Sequence, residues 1–139
     1  MIRSNFDHFD DIQEFHNIIP NMKRAEKYRH DDIDSAVINC RKALENLVQW
    51  IYQNDKELVL PFDTSLCSLL SDDKFRSIFK NNVLQCMDTV RKLGNKANHT
   101  SNSVTAAQAD ICIEYMYNIL DTTAYCYFEN YIQKKFWSN

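Results

Sequence analysis

Apolar residues recur at steps of three and four through HDDIDSAVINCRKALENLVQWIYQND, residues 30–55: Ile33, Val37, Cys40, Leu44, Leu47, Val48 and Ile51. Such steps keep side chains on one face, so the stretch predicts a long amphipathic helix. Asp31, Asp32 and Asp34 suit its first turn, where a carboxylate caps free amides and meets the positive end of the helix dipole. A second long helix is predicted over 103–136, with the stripe Ala109, Cys112, Ile113, Met116, Ile119, Leu120, Thr123, Ala124, Tyr127, Phe128 and Tyr131. Thr105 and Gln108 match a capping box, and Lys134 and Lys135 suit the negative end of that helix.

Shorter elements fill the rest. NFDHFDDIQEFHNII carries Phe6, Phe9, Ile12, Phe15 and Ile19 near one face and predicts a helix that stops at Pro20, whose ring disfavours helix in the preceding residue. PNMKRAEKYRH predicts a second short helix with Met22, Ala25 and Tyr28 inward. Residues 55–63, DKELVLPFD, form a loop with an extended LVL before Pro61. Two short helices follow, over 65–70 and 73–79, and lead into NNVLQCMDTVRKL, whose stripe is Val83, Cys86 or Met87, Val90 and Leu93.

Composition agrees with an all-helical chain. One glycine and two prolines in 139 residues are far below the usual ~7% and ~5%, and sheets joined by tight turns need more of both. With 45% hydrophobic residues, a single domain of this length can bury a core unaided. The fold class expected is all-α: one helical bundle over 1–139, with two long helices and several short ones.

Charge and cysteine usage narrow the partners. The net charge of −3 excludes a uniformly basic nucleic-acid binder, but 74–99 holds Lys74, Arg76, Lys80, Arg91, Lys92 and Lys96 against Asp88 alone. That segment is +5 and the remainder −8, so Lys80, Arg91, Lys92 and Lys96 form a candidate patch for phosphate or a partner, or else a solvated helix face. Cys40, Cys67, Cys86, Cys112 and Cys126 are odd in number and far apart, which reads as buried free thiols in a reducing cytoplasm. No Cys and His approach zinc-ligand spacing, so no metal or other cofactor is expected. The acidic start excludes a signal peptide, and no run reaches the ~20 apolar residues of a membrane span.

The candidate chemistry gathers in VRKLGNKANHT, residues 90–100, around Gly94. Arg91, Asn95 and His99 are spaced by four, and on a continuous helix they would drift only about 40° per step and share a face. Glycine often ends a helix, however, and Gly94 is expected to end this one. Two readings follow. In one, His99 is a general acid or base and Arg91 steadies negative charge on a phosphate. In the other, Arg91, Gly94, Asn95 and His99 form a polar clasp that fixes the turn between helices. Arg41 and Glu45, one turn apart beside a buried stripe, form a supporting polar pair. His8, His16 and His30 read as surface residues.

The order SNFDHF, AEKYRHDDIDSAVINCRKALENLVQWIY and VRKLGNKANHT before a long helix resembles the helical domain at the N-terminus of type I restriction enzyme R proteins, a domain-of-unknown-function family related to HEPN-like bundles. Ala25-Glu26, Arg41 with Glu45, and Arg91 through Gly94-Asn95 to His99 carry the resemblance. It implies a HEPN-like, non-catalytic accessory module, the N-terminal part of a larger protein whose partners are other restriction-system subunits or domains and DNA. A second implication is a HEPN-type metal-independent ribonuclease or toxin component, acting on RNA as a homodimer through Arg91 and His99. In such enzymes the arginine and histidine enclose four to six residues; here they enclose seven, one of them glycine.

Overall fold

In the computed structural model, residues 3–99 and 104–137 are described. Helix α1 spans Ile19–Tyr28, α2 Ile33–Asn54, α3 Leu66–Ser71, α4 Asp73–Arg76, α5 Asn81–Ala97 and α6 Ala106–Tyr127. No strand occurs among the described residues. Asp32 caps α2 by accepting from the Ser35 amide, and Thr105 and Gln108 form the expected capping box on α6. Each satisfies amides that the first turn leaves free.

The central helix is α2, which packs against α1, α5 and α6. Its buried face is Ala36, Val37, Cys40, Ala43, Leu44, Leu47, Val48 and Ile51, and it faces Met87 and Val90 of α5 and Cys112, Met116, Ile119 and Leu120 of α6 within one core. At the end of α2 the Tyr52 hydroxyl donates to the Leu69 carbonyl at 2.5 Å, and its ring stacks on Phe75 at 5.5 Å. Helices α3 and α4 thus close that end of the bundle and deliver the chain into α5, which runs back antiparallel to α2.

Two predicted helices take another form. The segment before Pro20 is a pair of 3-10 turns, Asn5–Phe9 and Gln13–Phe15, and Pro20 begins α1 instead of ending a helix. The physical reason lies in the spacing. Phe6, Phe9, Phe15 and Ile18 are fully buried, and they lie on one series of three-residue steps. A helix with about three residues per turn holds that series on one face, whereas an α-helix would rotate it away by about 60° per step. Proline is tolerated in the first turn of α1, where its missing N–H is not needed.

Helix α6 ends at Tyr127, nine residues short of the expected limit, and the chain turns back along it. Phe128 is extended and its ring lies 5.7 Å from Phe15 and 5.6 Å from Trp50. Tyr131 stacks on Phe9 at 6.2 Å, and Phe136 meets Tyr117 edge-on at 5.5 Å. Reversal lets the aromatic side chains of the tail cover α6 and the N-terminal turns; a continued helix would project them into water. Lys134 and Lys135 therefore do not sit at a helix terminus.

Candidate functional site

Helix α5 passes through Gly94 and ends three residues later at Ala97, and Gly94 does not adopt a positive φ. The expected helix end at Gly94 is thereby corrected. Mid-helix glycine costs about 1 kcal/mol relative to alanine, and the structure supplies the reason for it. Gly94 is buried against Arg41 of α2, and a Cβ placed there would lie 2.4 Å from Arg41 Cδ, 2.5 Å from Cβ and 2.8 Å from Cγ. The missing side chain is the slot in which the stem of Arg41 crosses α5.

The polar groups around this crossing are only partly joined. The Arg41 guanidinium donates to Glu45 through Nη1, as the spacing predicts. Arg91 is half-buried and directs Nη2 toward Asp88 Oδ1 at 3.7 Å, beyond hydrogen-bond range. The Nε atoms of both arginines are buried and lack a hydrogen-bond partner among the described residues. Asn95 and His99 are exposed. Among the described residues no side-chain hydrogen bond joins Arg91, Asn95 and His99, and residues 100–103 of the turn that the clasp was expected to fix lie outside them. Lys92 and Lys96 are one turn apart near the end of α5, while Lys80 immediately precedes its first residue. Sixteen residues of helix place Lys80 and Lys96 about 24 Å apart, so Lys80 does not belong to one compact patch.

Other expectations are redistributed. Cys40 and Cys112 are buried, and burial pushes the Cys112 thiol up to about 12 and that of Cys40 well above its usual range. Cys67 and Cys126 are exposed and Cys86 is half-buried, so the expectation of uniformly buried thiols fails for these three. His8 is not a free surface residue: its Nε2 lies 2.8 Å from the Tyr131 hydroxyl, and its ring meets Phe9 and Tyr131 at 5.1 and 5.3 Å. His30 pairs with Asp110 at 3.2 Å.

Two features escape local reading. One is a clasp between the chain ends. The Tyr131 hydroxyl donates to Asp121 at 2.5 Å, Tyr117 donates to the Lys134 carbonyl at 2.7 Å, and the Asn5 carboxamide exchanges two 2.8 Å bonds with the Trp137 backbone. Burial, then the bond to Asp121, drives the Tyr131 pKa far above the ordinary tyrosine value, and burial raises Tyr117 to about 12. The partners lie too far apart in sequence for spacing to signal them.

The other feature is an arm between α2 and α3. Asp55 accepts from the Glu57 amide at 3.0 Å and from the Tyr127 hydroxyl at 2.7 Å, and Leu58 is buried beneath. At the far end Asp63 accepts from the Ser65 amide at 2.9 Å, and Ser65 caps α3. Between these anchors Val59 is 80% exposed, Leu60 59% and Phe62 105%. Among the described residues the amides of Val59, Leu60 and Phe62 have no hydrogen-bond partner. Its sequence signal was an apolar run without helical period, LVLPF.

The fold defines an all-helical bundle domain. Among the described residues there is no cluster of three or more His, Cys, Asp or Glu that could hold a metal, and no helix long and apolar enough to cross a membrane. The family described as Domain of unknown function (DUF4145) matches residues 23–136, and the chain belongs to that family. No curated protein and no solved structure gives a significant match. The matched span includes the Arg41–Gly94 crossing, the arm and most of the tail, and leaves out the 3-10 turns.

Proposed function

We propose that this chain is a helical accessory and interaction domain of a type I restriction-modification R protein, and that it acts by docking and not by catalysis. The observation that carries the reading is the arm. Monomeric surfaces scatter large apolar side chains singly; here three stand within four residues on a segment anchored at both ends. An anchored arm loses little entropy on binding, which favours affinity. Glu57 and Asp63 flank it, so the occupied groove on the partner is apolar with a basic rim. The polar residues of the resemblance support the same reading, because Arg41 and Gly94 are spent on joining α2 to α5.

The partner is another subunit or domain of the restriction complex, and DNA engagement through Lys92 and Lys96 accompanies assembly. The test is co-elution of the chain with the remaining R-protein segment and the modification and specificity subunits, measured by light scattering. Phe62→Asp is expected to abolish co-elution with no loss of helicity. Co-elution that survives Phe62→Asp, or none with wild type, sinks the reading. For DNA, Lys92→Glu with Lys96→Glu should weaken duplex binding and flatten its salt dependence.

A second reading, a HEPN-type metal-independent ribonuclease, draws support from the exposure of Asn95 and His99 beside Lys92 at the end of α5. It requires Arg91 to leave the α5 surface and reach the RNA, with a second copy of the chain completing the site. RNA cleavage in EDTA that disappears in His99→Ala and Arg91→Ala would establish it. Equal, background-level cleavage by all three proteins would remove it.

A further inference from the structure

A cavity of about 370 Å³ opens between the N-terminal turns, α6 and the reversed tail, away from the arm and from Gly94, and Arg3, His8, Tyr117, Lys134, Lys135 and Trp137 line it. Its charge is opposite to that of the chain. Three cations face one carboxylate, Asp7, in a protein whose net charge is −3. That carboxylate is already engaged: Lys23 pairs with it at 3.0 Å, and the same contact holds its pKa below the usual range. Among the described residues the side chains of Arg3, Lys134 and Lys135 form no ion pair or hydrogen bond. An unneutralised cationic wall around a concave space favours an anion.

The remaining wall is aromatic and held in place. Tyr117 forms the floor, 1% exposed, with its hydroxyl on the Lys134 carbonyl. Trp137 stands at the rim, 42% exposed, and its backbone is fixed by the paired bonds to Asn5. Tyr131 gives its one proton to Asp121, so the 2.8 Å contact requires His8 to donate from Nε2. Cations beside an exposed indole match a ligand that carries both phosphate and a flat ring. The volume falls at the small end of the ~300–1,000 Å³ range of small-molecule sites, which suits one nucleotide and not a length of strand.

We propose that this cavity binds a single nucleoside monophosphate unit, with the phosphate held by Arg3, Lys134 and Lys135 and the base against Trp137. The unit is either a free nucleotide or the 5′-phosphorylated terminal nucleotide of a single strand. The site goes beyond the docking function and does not rest on it.

Isothermal titration of the chain with AMP, 5′-phosphorylated oligo-dA, inorganic phosphate and adenosine tests the proposal, with Trp fluorescence as a second readout. Saturable binding of AMP or of the phosphorylated strand is expected, at least ten-fold tighter than inorganic phosphate or adenosine. AMP binding without strand binding identifies the free nucleotide; tighter strand binding that needs the 5′-phosphate identifies the strand end. Arg3→Ala with Lys134→Ala and Lys135→Ala should weaken binding at least ten-fold, Trp137→Leu several-fold, and Lys92→Glu with Lys96→Glu not at all. Circular dichroism should show the same helicity in all of them. No saturable binding of either nucleotide probe at millimolar concentration overturns the proposal. Affinity unchanged by the triple variant, or phosphate binding as tight as AMP, overturns it equally.

Discussion

The crossing of α2 and α5 and the clasp between the chain ends both hold polar groups, yet they use them differently. At the crossing, Arg41 lies in the slot left by Gly94, and contact with its aliphatic stem brings two long helices close; its charge is met by Glu45 from the same helix. At the clasp, the polar atoms themselves make the long-range connection: His8 reaches Tyr131 across 123 residues, and Asn5 binds the Trp137 backbone. Shape therefore decides the first region and hydrogen bonding the second. A shape-determined contact within a close-packed interior fails when a methyl is added, whereas a hydrogen-bonded one fails when an atom is removed.

The largest expected effect follows from that contrast. Gly94→Ala places a methyl against Arg41 Cβ, which cannot move without the α2 backbone, and the strain should outweigh the gain in helix propensity, for a net loss of roughly 1–3 kcal/mol in chemical denaturation. Arg41→Ala added to it should recover only part of the loss, because the Cβ at 2.5 Å remains; Arg41→Gly should recover more of the packing. Wild-type stability in Gly94→Ala would show that the helices are not held at this spacing.

Tyr131→Phe comes next. It removes the donor to Asp121 and the acceptor for His8 while keeping the ring on Phe9, and about 1–2 kcal/mol should be lost. Asn5→Ala should act more locally. Hydrogen exchange in 131–137 should rise while protection in α2 and α5 stays unchanged, as expected of a peripheral unit that opens by itself. Uniform loss of protection would mean that clasp and core open together.

The smallest effect is on pH dependence. Glu26 accepts from Ser4, and burial raises its pKa despite that bond. A carboxylate whose folded pKa lies above its unfolded value stabilises the fold when protonated, and that contribution is lost as pH rises through the folded value. Glu26→Gln should therefore raise Tm slightly at pH 7, and the gain should vanish on acidification below the unfolded value. Asp7 is shifted the opposite way by Lys23, so Asp7→Asn should weaken the fold at neutral pH and lose its effect in acid. A Tm gain in Glu26→Gln that persists in acid would place its origin outside the titration.

Local pattern determined much of this molecule. Three- and four-residue apolar steps located α2, α5 and α6, and short-range capping chemistry at Asp32 and at Thr105 with Gln108 fixed where two of them start. The Arg41–Glu45 pair was equally legible, since four-residue spacing on a helix brings the two side chains together. The same logic misread two segments. Apolar residues spaced by three fit both an α-helix and 3-10 turns over a short span, and only burial of Phe6, Phe9, Phe15 and Ile18 together selects the latter. The stripe of α6 continues in sequence past Tyr127, and nothing local forbids helix there. Packing of Phe128 on Phe15 and Trp50 decides the reversal.

Gly94 divides the two kinds of information most clearly. Sequence identifies it as the one residue in the chain free of side-chain constraint, and both a helix end and a close contact use that freedom. The choice depends on what lies across from it, and Arg41 comes from another helix. The cavity and the exposed arm are decided in the same way. Charge, aromatic rings and apolar runs can be read along the chain, but whether they are buried, paired or left open depends on which distant segments cover them.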